Sequence, residues 1–375
     1  MDIATVGVVG GGQLARMMVA PAKRLGLRLA VLDPDAACSA STLADDAIVG
    51  QLDDYDALKK LASISDVLTF EIERVGVPAL KQLQREGHQI FPSPEILETI
   101  QDKLTQKRFL VDAGVPTSEF SELDKSSLTA ADCPFVWKAR RDGYDGRGVA
   151  IVRELSDVAS LPDGPALKEA LVDIDYEVAT QIARDRNGEC VHFPLVDMDM
   201  DPEMHVMRRT IAPAVAPADV IAQTRQIAQT IANSMQFVGM LAIEFFVTRS
   251  GEVLVNELSP RPHNSAHYTI EACETSQFEQ HLRAVAGLPL GPAQLTAAAV
   301  TFNVLGAPGA TGLPKYIGFA RKEDNASVFV HSYGKPQVRP GRKMGHATVT
   351  ADSREAALDL AQSVEPTIKV ESADE

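Results

Sequence analysis

The 375-residue chain is poor in cysteine, in tryptophan and in positive charge. Its four cysteines, Cys38, Cys133, Cys190 and Cys273, lie far apart and form no CxxC pair, which argues against both a zinc ribbon and a disulfide framework. They read as buried thiols. No apolar run approaches the roughly 18 to 20 residues needed to span a bilayer. The N-terminus enters a strand at Thr5–Val9 with no basic segment or cleavage site before it, so the expected location is the cytoplasm, with no membrane partner. Lysine and arginine number 36 against 51 aspartates and glutamates, a formal net charge of −15. Such a balance argues against nucleic-acid or anionic-membrane binding, both of which need a broad basic surface. A P-loop is absent as well, because GxxxxGK[ST] occurs nowhere in the chain.

What the chain does have is enough apolar material, 45% of its residues, for two or three packed domains. The first third alternates strands (5–9, 29–32, 66–70, 89–91) with helices (about 13–25 and 77–86), a parallel βαβ pattern. The turn Gly10-Gly11-Gly12-Gln13-Leu14-Ala15, with Asp33 at the end of the second strand, resembles a G-x-G-x-x-G/A dinucleotide fingerprint. Alternatively, the glycines merely permit a tight turn into a helix whose N-terminus could receive any phosphate. Both readings stay open on this motif alone. A single helix is expected over about 95–113, stopping at Gly114, and residues 134–183 read as a small antiparallel unit.

The few cations cluster. Lys138, Arg140, Arg141 and Arg147 surround Gly143, Gly146 and Gly148, and Lys335, Arg339, Arg342 and Lys343 gather near the other end of the chain. In an acidic protein, such patches beside glycines suggest phosphate sites. Lys138 ends the apolar strand Phe135-Val136-Trp137, an odd place for a cation without an anionic partner. Between the clusters, Ile243, Phe245 and Val247 alternate with Glu244 and Phe246. A turn at Ser250-Gly251-Glu252 follows, then a second strand ending at Asn256-Glu257. Glu244 and Glu257 are expected to face each other across this hairpin. Two such carboxylates repel unless a cation lies between them, and hard oxygen ligands suit Mg²⁺ carrying nucleotide phosphates. Arg261, His263, Asn264 and Ser265 follow at once, more hydrogen-bonding capacity than a solvated loop needs.

These features together resemble the ATP-grasp superfamily. The blocks GGGQLARM, DVLTFEIERV, KARRDGYDGRG, NELSPRPHNSAHYTIEAC and YGKPQVRPGRKMGH are similar to those of the 5-(carboxyamino)imidazole ribonucleotide synthases of purine biosynthesis. The resemblance implies a mixed α/β and α+β architecture. A Rossmann-like pre-ATP-grasp domain would span 1–98 and an ATP-grasp domain 99–290, with a small antiparallel subdomain at about 117–183. A mainly β C-terminal domain would fill 291–375. It also implies a homodimer that uses ATP, Mg²⁺ and bicarbonate to carboxylate the amine of aminoimidazole ribonucleotide through carboxyphosphate.

By the same resemblance, Lys103 and Lys138 contact the ATP phosphates under a loop of Gly143, Asp145, Gly146, Arg147 and Gly148. Glu169, Ala170 and Leu171 form the adenine hinge, and Glu177 accepts the ribose hydroxyls. Glu244 and Glu257 hold magnesium, with Asn256 beside them. Arg261, His263, Asn264, Ser265 and Tyr144 serve the carboxyl acceptor and bicarbonate, Lys335 and Arg342 grip its 5′-phosphate, and Gly12, Gln13 and Glu73 wall its pocket. His267, His281 and His346 read as structural.

The chain departs from the pattern at Ala266, where the family usually has glycine and a methyl group could crowd the backbone. It departs again in the acidic stretch Asp197–Asp201 and in a hinge without the usual aromatic neighbours. A divergent ATP-grasp ligase acting on another amine is therefore an alternative. Outside the class stand an NAD-dependent oxidoreductase, which leaves Glu244, Glu257 and the basic clusters unexplained, and a nucleotide-sensing protein, which would need no magnesium pair.

Overall fold

The computed structural model describes residues 4–141, 143, 148–201, 207–319 and 327–373. Strand Thr5–Val9 lies at the centre of a four-stranded parallel sheet, flanked by Arg28–Asp33 on one side and Val67–Phe70 on the other, with Asp46–Val49 at the edge beyond Arg28–Asp33. Helices Gln13–Arg24 and Tyr55–Ser63 make two of the crossovers between these strands, and Val77–Arg85 follows the last of them, in keeping with the long connections that parallel neighbours require. The expected strand at 89–91 is reduced to a single bridge between Leu68 and Ile90.

The helix expected over 95–113 is two helices, Pro94–Gln101 and Lys103–Asp112. Asp102 separates them in an extended conformation (φ −114°, ψ 109°), and its carboxylate accepts from the Leu104 and Thr105 amides at 3.0 and 3.4 Å. It also receives Arg140 Nη2 at 2.6 Å. No glycine or proline stands between Glu95 and Ala113 to announce the break. Its consequence is that Lys103 becomes the first residue of a helix rather than the middle of one.

Two further sheets frame the site. A four-stranded sheet orders Phe120–Glu122, Ala166–Ala170, Phe135–Ala139 and Val149–Val152. The strand Ile174–Arg184, grouped in sequence with that small unit, belongs instead to a nine-stranded sheet, between Gly239–Thr248 and Val196–Met200. Its apolar positions Val178 and Ile182 pack with Ile243, Phe245 and Val255 in one core cluster, and burying them requires the larger sheet. Met207–Ala212 pairs with Ala298–Leu305, so the same sheet runs on into the C-terminal strands Lys343–Ala351 and Val328–Ser332. Among the described residues no helix is long and apolar enough to cross a membrane.

Candidate functional site

The hairpin Gly239–Thr248 and Val253–Ser259 is antiparallel, with Glu244 directly opposite Glu257. One step on, Phe245 pairs with Val255, so Asn256 is the extra residue of a β-bulge. In a regular strand Asn256 and Glu257 would point to opposite faces. The bulge re-aims one of them, and both now look into the same cleft. Lys103 Nζ meets Glu257 Oε1 at 2.6 Å, and Lys138 Nζ meets Asn256 Oδ1 at 3.1 Å.

Lys138 reaches the cleft from the small sheet and also pairs with Glu169 Oε2 at 3.1 Å. Glu169 is almost fully buried, accepts from Ser118 Oγ at 2.7 Å and shares its charge with the buried Lys107 at 3.3 Å. A buried carboxylate held by two lysines is stable only because both are present. Burial pulls Lys107 down to about 8, against the pull of Glu169. Lys107 was not expected from sequence. Its neighbours Thr117 and Ser118, at 2.7 and 2.8 Å from Nζ, satisfy it without reaching the cleft. Ala170 and Leu171 are exposed at the end of the same strand.

The facing carboxylates differ sharply. Burial first, then Glu257 and Glu177, push Glu244 up to about 8, while Lys103 and Lys138 act weakly against the shift. At Glu257 burial is outweighed by Lys103, and the group is held below the ordinary carboxylate range. Burial likewise opposes the charge of Lys103, and Glu257, with smaller help from Glu169 and Glu244, more than restores it. Glu177 is raised to about 7 by burial, with Lys138 opposing. Crowded acids of this kind repel one another when charged, and a cation between them would favour their ionised forms. Two carboxylates and the Asn256 amide oxygen form a hard-oxygen donor set that fits Mg²⁺. Among the described residues no set of three or more His, Cys, Asp and Glu side chains gathers as a self-sufficient metal site. Magnesium seldom needs one, since it usually keeps waters and nucleotide phosphates as ligands.

The polar tail closes the other side. Arg261 lies against Glu73, Nε to Oε1 at 2.8 Å and Nη2 to Oε2 at 2.9 Å. His263 Nδ1 accepts from the Ser265 amide at 3.3 Å and lies 2.9 Å from Ser265 Oγ, which itself accepts from Gln181 Nε2 at 2.8 Å. The Gln181–Ser265–His263 chain leaves the proton on Nε2, which faces Glu244 Oε1 at 3.6 Å. Burial, then Arg261 and Lys343, lower His263 to about 3, so the imidazole is neutral and offers a donor. Gln277 brackets the same residue, with Oε1 accepting from its amide and Nε2 donating to its carbonyl, both at 2.8 Å. Asn264 Nδ2 is buried with no partner among the described residues. Gln181 and Gln277 were missed. Gln181 was findable, because it stands two and four places from Ala179 and Glu177 on one face of an apolar strand.

Ala266 is not strained. It sits in the short 3₁₀ turn Asn264–Ala266, fully buried in an apolar cluster with Ala179, Met198 and Tyr268. The acids of the 197–201 stretch are partnered where described, Asp197 with Arg354 and Asp199 with Arg208.

The glycine turn is already filled. Glu71 Oε1 accepts from Gly12 N at 2.6 Å, and Oε2 accepts from Leu14 N and Ala15 N at 2.9 and 3.0 Å. Asp33 Oδ2 takes Gly11 N at 2.8 Å. The fingerprint reading therefore fails, since the helix-start amides that would receive a pyrophosphate are taken by Glu71 and the acid that would hold a ribose is taken by Gly11. The open phosphate-receiving turn fails with it. Gly12 and Gln13 remain beside the cleft by way of Glu71, whose charge is felt at Arg261.

At the far end Lys335 Nζ donates to the Lys343 carbonyl at 2.6 Å, and Arg342 donates to the Gln337 carbonyl at 2.7 Å. Lys343 acts electrostatically on His263 and His267. His267 and His346 pack against each other in the interior with tilted rings, centroids 4.6 Å apart, and His281 donates to or accepts from Thr69 at 2.8 Å, as the structural reading expects. At Gly148 an added Cβ would stand 3.2 Å from the Gly143 Cα. Tyr144, Asp145, Gly146 and Arg147 lie outside the described residues.

Residues 3–101 match the ribonucleotide synthetase preATP-grasp domain, 108–278 the ATP-grasp domain, and 299–360 the phosphoribosylaminoimidazole carboxylase C-terminal domain. The chain is 37% identical to the N5-carboxyaminoimidazole ribonucleotide synthase of Synechocystis, covering 97% of both proteins. Its fold is similar to the crystal structure of N5-carboxyaminoimidazole ribonucleotide synthetase from Thermotoga maritima (TM-score 0.91, 40% identity, 99% of this chain and 100% of that one). It is similar also to N5-carboxyaminoimidazole synthase from Aspergillus clavatus, solved with ADP and 5-aminoimidazole ribonucleotide (TM-score 0.85, 29% identity, 98% of both chains). With three family domains matched in order along it, the chain belongs to the N5-carboxyaminoimidazole ribonucleotide synthase family of ATP-grasp ligases.

Proposed function

We propose that the protein carboxylates the amine of 5-aminoimidazole ribonucleotide with bicarbonate at the expense of ATP, giving the N-carboxy product, ADP and phosphate in purine synthesis. The observation that carries this reading is the junction of two functions on one hairpin. Glu244, Asn256 and Glu257 face Lys103 and Lys138, and Arg261 through Ser265 follow within a few residues. An unstable carboxyphosphate gains from having its acceptor alongside.

On this reading Lys103 and Lys138 exchange their present partners for ATP phosphates beneath the Gly143–Gly148 loop. Lys107 remains to neutralise Glu169 when Lys138 turns away. The backbone at Glu169–Leu171 reads adenine, and Glu177 accepts the ribose hydroxyls. Glu244 and Glu257, with Asn256, hold Mg²⁺, which when bound offsets charge developing on the transferred γ-phosphoryl group. Arg261 and the Nε2–H of His263 orient bicarbonate and then the amine, with Asn264, Ser265 and Tyr144 alongside. Lys335 and Arg342 take the 5′-phosphate, an arginine doing so with two parallel hydrogen bonds. Gly12, Gln13 and Glu73 complete the pocket wall. The assembly that the family resemblance supports is a homodimer, and the domains divide at about residues 98 and 290.

The test is ADP release by the purified protein with ATP, Mg²⁺ and bicarbonate, with and without the ribonucleotide. The expected result is strong, bicarbonate-dependent stimulation by the ribonucleotide, and absence of that stimulation rejects the reading.

A further inference from the structure

The block GGGQLARM contributes its glycines and Gln13 to the pocket wall but leaves Arg16 without a role. Arg16 lies on the first helix, four residues beyond Gly12, and its amide donates to the Gly12 carbonyl at 3.0 Å. Its side chain crosses to the other end of the chain. Nη1 donates to the Ser39 carbonyl at 2.7 Å and Nε to the Ser332 carbonyl at 3.2 Å. Ser39 is tied to the glycine turn through its neighbour, since Ala40 N donates to the Gly11 carbonyl at 2.9 Å. Ser332 ends the strand Val328–Ser332, and Gly334 and Lys335 follow.

The guanidinium also lies flat on Gly334, where a Cβ added to the glycine would stand 3.1 Å from Nη1 and 3.2 Å from Cζ. Gly334 has φ +64°, a conformation that favours glycine, so the chain there is shaped to admit the guanidinium. Both hydrogen-bond partners of Arg16 among the described residues are neutral carbonyls, and they are reached from two different nitrogens of one rigid plane, a geometry that a lysine, whose three donors sit on a single flexible nitrogen, does not reproduce.

We infer that Arg16 is a positioning residue that fixes the Ser332–Lys335 backbone against the glycine turn, and so sets the reach of Lys335 toward the ribonucleotide phosphate. The inference rests on the proposed function, in which Lys335 grips that phosphate. It predicts a selective effect: the ribonucleotide site depends on Arg16, and the ATP site, built from Lys103, Lys138 and the hairpin, does not.

Arg16→Met, Arg16→Lys, Gly334→Ala and Lys335→Ala are compared by KM for the ribonucleotide, KM for ATP and melting temperature. Arg16→Met is expected to raise the ribonucleotide KM about tenfold, the loss of charged hydrogen bonds to a buried backbone, with the KM for ATP moving less than about twofold. Gly334→Ala, which disturbs the same contact from the other side, is expected to move the ribonucleotide KM in the same direction and serves if Arg16→Met does not fold. Arg16→Lys is expected to recover only part of the loss. Full recovery by lysine overturns the inference, because positive charge alone would then suffice. An equal rise in both KM values overturns it too, as does no rise in either. If Lys335→Ala leaves the ribonucleotide KM unchanged, it is the assignment of the phosphate grip that fails, whatever Arg16 does.

Discussion

Glu244 and Glu257 stand opposite each other on neighbouring strands and yet are different acids. One has an ammonium group 2.6 Å away and is held charged; the other has a neutral imidazole at 3.6 Å and is pushed up to about 8 by burial and by its own neighbours. The difference teaches that the protein's own cations neutralise one acid of the pair and leave the other uncharged, and on the proposed function a metal–nucleotide complex would serve the second. Lys103 can be at Glu257 only because Asp102 breaks the helix in front of it.

The strongest way to break the comparison is Glu257→Gln, which removes an oxygen ligand and also frees Lys103. Its kcat is expected to fall by about a thousandfold, the upper range for losing one preorganised electrostatic group, as read by steady-state ADP release. Lys103→Met makes the two carboxylates alike by taking away the cation that separates them. A loss of about a hundredfold is expected, and a larger loss than in Glu257→Gln would mean that the pair is not the unit described.

The gentlest intervention is pH. On the proposed function Mg²⁺ binding requires Glu244 to lose its proton, so apparent Mg²⁺ affinity in the presence of nucleotide should rise by up to about tenfold per pH unit below pH 8 and level off above it. Glu244→Gln should abolish that slope. The same shift has a stability sign. A carboxyl whose folded pKa is raised supports the fold below its unfolded value, about 4.3, and that support is lost as pH rises through about 8. Metal-free Glu244→Gln should therefore gain melting temperature over the wild type at pH 8, with the gain vanishing near pH 4.

Much of this site was legible in the sequence. Alternation gave the hairpin and the Glu244–Glu257 pairing, because a period of two leaves little freedom once one face must be buried. Lys138 was marked by standing at the end of an apolar strand. The Asn256 bulge was not legible, since one extra residue changes no pattern of polarity, and neither was the break at Asp102. Lys107 and Gln277 serve through tertiary contacts, with Glu169 and with the His263 backbone, which no pattern of polarity records. The glycine turn was misleading for a related reason. Its outline is that of a nucleotide receptor, and only Glu71, some sixty residues on, says otherwise.

That carboxyl group has a wider meaning for how such turns are searched for and targeted. A loop that brings its own occupant leaves no open amides for the dinucleotides abundant in a cell, so the turn is insulated from their concentration while keeping a dinucleotide-like backbone. A compound built to mimic nicotinamide cofactors should find no foothold at Gly10–Gln13, while the neighbouring cleft stays open to chemistry of its own.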